Sequence, residues 1–163
     1  MITYYKVIQN AFNIFYNREK YCYFYAAKGQ VLTMPLMDAL IACEPDYWKR
    51  YSPEKIDEIK RWSLGKTGVD CSGFINLCTG QEKYSSAYYL ETLNKTTPAN
   101  GTEGNLLYTT FGGTGRHVGL DIGYGYFMSF DKELETCKFG KISAYRWEHS
   151  GQLRDVDYTG AKN

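Results

Sequence analysis

Two short stretches carry residues able to do covalent chemistry together. Asp70-Cys71-Ser72-Gly73-Phe74 sets a cysteine where a helix begins. Downstream, Arg116-His117-Val118-Gly119-Leu120 sets one of the chain's two histidines at the head of an apolar run. A thiol attacks a carbonyl carbon only as thiolate, and an ordinary cysteine is mostly protonated at neutral pH. A helix N-terminus favours the anion through its unpaired N–H groups and its dipole. A nearby imidazole accepts the proton and later returns it to a leaving amine. The same N–H groups can hold the oxyanion of a tetrahedral intermediate. The pattern points to acyl transfer, most simply amide hydrolysis, with Cys71 as nucleophile and His117 as base. Asp70 is the expected N-cap, and Ser72 and Gly73 leave space for a substrate. Gly119 shares a strand face with His117 and is expected to keep room for the facing cysteine.

Such a pair needs a helix under the cysteine and a sheet under the histidine. Phe74, Ile75 and Cys78 follow Cys71 at helical spacing, and Gly80 is placed to end a helix from Cys71 to about Thr79. Upstream, residues 3–17 repeat apolar side chains with helical period, from Tyr4 and Val7 to Phe15. Residues 34–43 are apolar with Pro35 near the start, which suits a second helix. Ser52-Pro53-Glu54 supplies an N-cap, a first-turn proline and an acid for a third, with Ile56, Ile59 and Trp62 as its stripe. Residues 21–27 are a strand or an extended aromatic run, and Gly65 and Gly68 break the chain before Asp70. Residues 94–105 read as a loop. Strands are expected at 106–110, 117–122, 126–130 and 138–146, with a hairpin turn at Gly123-Tyr124-Gly125. Helices followed by antiparallel strands give an α+β class.

Bulk properties narrow the partners. The chain has 163 residues, enough for one domain with a real core. Its 19 basic and 18 acidic residues leave no basic footprint for nucleic acid or an anionic membrane. Five cysteines, an odd number with no C-x-x-C pair, indicate neither a disulfide framework nor a zinc site, and no metal or organic cofactor is implied. Sixteen tyrosines suit a groove for a polar polymer, although most are expected at the core edge. The opening Met1–Lys6 lacks the basic, apolar and small-residue regions of a signal peptide, and no apolar run reaches the ~18 residues of a membrane span. Synthesis in the cytoplasm is the expectation, and no oligomeric state follows.

Asp70-Cys71-Ser72-Gly73-Phe74 resembles the nucleophile motif of the NlpC family of papain-like cysteine peptidases, which hydrolyse bacterial cell-wall peptides. The run from His117 to Gly123 resembles that family's histidine strand, His-Val-Gly-Ile-Tyr-Ile-Gly. Tyr23-Phe24-Tyr25-Ala26-Ala27 resembles its Tyr-x-x-Gly-Gly segment, with alanines in place of glycines, and Gly104-Asn105-Leu106-Leu107 resembles its Gly-Asp-Leu-Val strand. The order and spacing agree over residues 5–147. The resemblance implies a papain-like domain over 1–163, its nucleophile helix packed on a C-terminal antiparallel sheet. It gives Cys71 and His117 their catalytic roles and sets the Tyr23 hydroxyl on the oxyanion side. Asp70 and Ser72 match positions that hold the substrate amine in members cutting after a free N-terminal L-alanine; capping is the equal alternative for Asp70. A third polar residue about twelve positions after the base orients the imidazole in the family. That position is Ser129, placed first here, with Asp121 and Asp131 as alternatives. His149, in a Trp-containing segment like that ending many phage members, is expected on an exposed terminal loop. Residues 34–66 form an insert expected to wall the groove.

The expected function is therefore a peptidoglycan hydrolase, an endopeptidase or amidase cleaving stem-peptide amide bonds through a Cys71 acyl-enzyme. Small size without a wall-binding module suggests a phage or prophage endolysin, acting on the wall after release. A contact-delivered amidase toxin and a catalytically weak binding module for wall peptides are the alternatives.

Overall fold

The computed structural model describes residues 1–112 and 115–163. The chain opens with β1 (Ile2–Thr3) and α1 (Tyr4–Tyr16), then β2 (Tyr21–Tyr23) and β3 (Lys28–Val31). Next come α2 (Met34–Cys43), α3 (Pro45–Trp48) and α4 (Pro53–Ser63), before β4 (Thr67–Val69) leads into α5 (Cys71–Thr79). The remaining strands are β5 (Leu93–Thr96), β6 (Leu106–Thr109), β7 (His117–Gly123), β8 (Tyr126–Ser129), β9 (Lys138–Lys141), β10 (His149–Gln152) and β11 (Val156–Asp157). The class is α+β, with helices packed on a six-stranded sheet of order β5-β10-β6-β7-β8-β9. Every neighbouring pair in that sheet is antiparallel. A smaller sheet, β2-β4-β3, stands beside the start of α5. β1 pairs in parallel with β11 and ties the two ends of the chain together.

Local chemistry explains the helix bounds. Thr33 accepts from Leu36 N at 3.3 Å, Ser52 accepts from Lys55 N at 3.1 Å, and a proline occupies the first turn of both helices. α5 stops at Gly80, which takes φ +71°, a left-handed value that glycine adopts at no steric cost.

Packing then fixes the helix against the sheet. Val7, Ala11 and Ile14 of α1 and Phe74, Ile75 and Cys78 of α5 bury against Leu106, Val118, Leu120 and Met128. Each large apolar side chain so buried contributes roughly 1.5–3 kcal/mol. A second cluster joins Cys22, Phe24 and Leu32 to Met37, Trp48 and Ile59, so α2–α4 have their own core against the small sheet. On the other face of the large sheet, Leu107 and Phe127 pack with Ile142 and Trp147.

The structure departs from expectation where strands pair over long range. Residues 94–105 contain most of β5, because β10 is there to pair with it. The polar segment His149–Gln152 lies between β5 and β6 rather than in a terminal loop. The glycine-rich stretch before Asp70 is β4. Gly68 lies within it because a Cβ there would come within 2.7 Å of the Leu32 side chain. β9 ends at Lys141, and a 3-10 turn over Ile142–Ala144 replaces the rest of the expected strand. Among the described residues no helix is long and apolar enough to cross a membrane.

Candidate active site

Cys71 is the first residue of α5, and its neighbours fasten that turn in place. The Asp70 carboxylate accepts from Gly73 N at 2.7 Å, the expected capping bond. Asp70 N donates to the Ala27 carbonyl at 2.9 Å, and Phe24 N donates to the Val69 carbonyl at 3.0 Å. The β2–β3 connection is thereby drawn against the helix start. Gly73 permits this approach, since a Cβ there would lie 2.7 Å from the Ala27 oxygen. Ala26, where the resembling family has glycine, takes φ +68°. Tyr23, the last residue of β2, is buried and lines one cavity with the thiol. Burial raises the Tyr23 hydroxyl far above its usual range, and nearby Tyr47 and Cys71 add to that, so it remains a hydrogen-bond donor.

His117 opens β7 and is almost fully buried. Its Nε2 lies 2.9 Å from Asp131 Oδ1, and the Cys71 thiol is near enough to the same ring to favour its charged form. Trp147 stacks on the imidazole with centroids 5.4 Å apart and 15° between planes. Burial alone would push His117 down; the bonds to Asp131 and Cys71 outweigh it and lift the ring to about 9. Asp131 is held well below the usual carboxylate range. Its own burial opposes this, but the His117 bond and charge, Lys138 and Ser129 prevail. Lys138 Nζ lies 2.8 Å from Asp131 Oδ2, and the Tyr145 hydroxyl donates to that oxygen at 3.4 Å.

The side chain bonded to the imidazole is thus that of Asp131, and Ser129 reaches it only through that carboxylate. Ser129 ends β8 and donates its hydroxyl to Asp131 Oδ1 at 2.5 Å. Two residues further on the chain has left the strand, and there the longer carboxylate side chain reaches the ring. Asp121 shares a face with His117, but four residues of strand put it roughly 13 Å away. Its carboxylate accepts from Gly123 N at 2.9 Å, and burial pushes it up to about 6. It lines a separate cavity of about 1080 Å³ with Tyr4, Tyr124 and Trp147, which Cys71 does not border. Gly119 makes room for Trp147 rather than for the cysteine: a Cβ there would lie 2.7 Å from the indole. Asp70 and Ser72 both bind Lys28, whose Nζ lies 2.7 and 2.8 Å from the Asp70 oxygens and 2.6 Å from Ser72 Oγ. His149 stacks on Tyr89 and Tyr108 and does not line the cavity at Cys71.

That cavity, about 330 Å³, is bordered by Cys71, His117, Tyr23, Tyr145 and the insert residues Tyr47 and Tyr51. Arg50, Arg116, Lys132 and Lys138 stand around it. Buried Glu133 accepts from the Tyr47 hydroxyl at 2.8 and 2.7 Å and from the Tyr51 hydroxyl at 2.7 Å. Tyr47 also stacks on Tyr25 with centroids 3.7 Å apart. Glu133, Tyr145 and Lys28 were not singled out by sequence; each acts through a partner distant along the chain. Trp147 carried a signal in its segment but no assignable place. Among the described residues no group of three or more His, Cys, Asp or Glu is placed to hold a metal ion. Five cysteines are free thiols.

No family model matches the chain, and no curated protein matches it. Among solved structures, the NlpC/p60 domain of the peptidoglycan hydrolase SagA superposes with a TM-score of 0.56 at 16% identity, over 93% of this chain and 100% of that one. The chain has the NlpC/p60 fold, a papain-like α+β architecture.

Proposed function

We propose that this protein is a cysteine hydrolase of cell-wall peptides, with Cys71 as nucleophile, His117 as acid–base and Asp131 as the residue that positions the imidazole. The observation that carries the proposal is that Cys71, at a helix N-terminus, borders one cavity with His117 and with the Asp131 carboxylate bonded to its ring. Its fold likeness to a domain of a peptidoglycan hydrolase supports the choice of substrate.

The chemistry follows from the positions. His117 holds the proton of the Cys71–His117 pair, and the sulfur attacks the scissile carbonyl carbon. The new oxyanion is met by N–H groups at the start of α5 and by the Tyr23 hydroxyl. The imidazolium protonates the departing amine and leaves a thioester. Water, deprotonated by the same ring, then releases the acid and restores the thiol. Asp131 favours the charged ring throughout, and Trp147 holds its plane. The insert α2–α4 supplies one wall of the groove through Tyr47 and Tyr51, within a single domain over 1–163.

A phage or prophage lysin, reaching the wall after release, is the favoured setting; a delivered amidase toxin would use the same chemistry. A catalytically weak binding module is the other alternative; the Asp131 carboxylate on the imidazole speaks against it. The deciding experiment is mass spectrometry of purified peptidoglycan incubated with the protein and with Cys71→Ala. Fragments made by the wild type alone establish the activity, and their masses name the bond. No cleavage by either across several wall chemotypes overturns the proposal.

A further inference from the structure

One ammonium site flanks the nucleophile, and the protein fills it with its own side chain. Asp70 and Ser72 stand immediately before and after Cys71, and both are buried. The Lys28 ammonium meets both carboxylate oxygens at 2.7 and 2.8 Å and the Ser72 hydroxyl oxygen at 2.6 Å, which engages all the donors a primary ammonium has. The contact is built into the fold. β3 pairs with β4 so that Lys28 stands opposite Val69, one residue before Asp70. The cradle and the thiol share the first turn of α5: Asp70 caps it, Cys71 opens it and Ser72 follows.

A substrate whose acyl group ended in a free α-ammonium would need a counter-charge beside Cys71. The carboxylate there is already neutralised, and the Lys28 charge opposes a second cation. An acyl group whose α-nitrogen is in an amide bond meets neither obstacle. We propose that Lys28 is a specificity-determining residue that closes this ammonium site and restricts the enzyme to acyl donors with an acylated α-nitrogen, that is, to internal peptide bonds. The restriction rests on the hydrolase reading of Cys71; the closed cradle itself does not.

Two measurements separate those parts. The first modifies the thiol with methanethiosulfonates, in which the thiolate attacks the sulfenyl sulfur, forms a disulfide and expels methanesulfinate. Rates at Cys71, followed by peptide mass, are compared for the 2-ammonioethyl and the neutral methyl reagent. In Lys28→Met the ammonium-to-neutral rate ratio is expected to rise about tenfold over wild type, since an unpaired partly buried carboxylate attracts the cation. In Lys28→Met/Asp70→Asn, where the amide oxygen still caps Gly73, the ratio returns to the wild-type value. A ratio unchanged in Lys28→Met, or no reaction at Cys71 with either reagent, overturns the closed-cradle inference. Lys28→Gln serves equally if the Met variant does not fold. The second measurement uses a matched pair of peptides, N-acetylated and free at the acyl-side amine. Wild type is expected to cleave the acetylated peptide at least about tenfold faster in kcat/KM, and Lys28→Met to narrow that gap. A wild-type preference for the free amine overturns the restriction. If neither peptide is cleaved, the hydrolase reading fails and the reagent ratio alone decides the cradle.

Discussion

Ser129 donates its hydroxyl to Asp131 at 2.5 Å, and the same carboxylate oxygen lies 2.9 Å from His117 Nε2. The serine therefore acts on the imidazole only through the aspartate. Removing the carboxylate frees the ring and leaves the cation-forming step unsupported. Asp131→Ala is expected to lower kcat/KM on the order of 100-fold or more, in line with the loss of a residue that positions an acid–base. Ser129→Ala removes one neutral donor and leaves Lys138 and His117 on the carboxylate, so a loss under about tenfold is expected. Steady-state rates on soluble wall fragments distinguish the two. Equal losses would contradict this ordering.

The protonation of His117 sets a pH window. Its folded-state value near 9 lies above the ordinary 6.5, so its contribution to stability is full below about 6.5 and is lost as pH rises through about 9. Asp131 is depressed, so its contribution is present above about 3.9 and is lost as pH falls below that. The urea midpoint should therefore decline between about pH 6.5 and 9 in wild type, and less so in Asp131→Asn. Activity should fall on the alkaline side near pH 9, where the imidazolium that protonates the leaving amine disappears. In an imidazole NMR titration, Cys71→Ala should move the His117 midpoint down, because the thiol is one of the groups that raise it.

Gly73 tests how tightly the nucleophile's helix is pressed into place. Alanine there gains up to about 1 kcal/mol of helix propensity. Against this, the added Cβ would lie 2.7 Å from the Ala27 backbone oxygen and 3.3 Å from Lys28 Cα, neither the free end of a flexible side chain. Overpacking of this kind costs about 1–3 kcal/mol. Crowding should win, leaving Gly73→Ala about 1–2 kcal/mol less stable in urea unfolding. Its activity should fall further than the unfolded fraction explains, since Cys71 moves with the first turn of α5.

What the sequence made legible is what local chemistry decides. α2 and α5 have the bounds that cap, proline and apolar period set, because those signals lie within the element. Cys71 and His117 stand out for the same reason: each is a reactive side chain beginning a regular element. The misses depend on partners far along the chain. His149–Gln152 has no apolar alternation, and only its pairing with β5 on one side and Leu106–Tyr108 on the other makes it a strand. Ser129 came forward by counting positions from the histidine, whereas Asp131 lies just past the strand end, where alternation no longer governs direction. Gly119 announced a close approach, but a glycine does not name its neighbour, which is Trp147. The Lys28 contact with Asp70 depends on the β3–β4 register, which no short window contains.

Glu133 holds the insert's wall in position. It lies after β8, and its carboxylate takes the hydroxyls of Tyr47 and Tyr51. Glu133→Ala would leave the buried Tyr47 hydroxyl without its acceptor, at a cost of about 1–3 kcal/mol, while the half-buried Tyr51 can recover a bond to water. Tyr51→Phe alone removes one donor and should cost about 0.5–1.5 kcal/mol. Because the two residues share a bond, their effects should fall short of additive by about 1 kcal/mol in a double-mutant cycle. Additive losses would mean that Tyr51 and Glu133 stabilise the protein independently. The kinetic consequence separates a wall from a catalytic group. Neither residue touches the Cys71–His117–Asp131 series, so a loosened wall should raise KM several-fold and leave kcat within about threefold of wild type. A collapse of kcat at unchanged KM would place Glu133 in the chemistry instead.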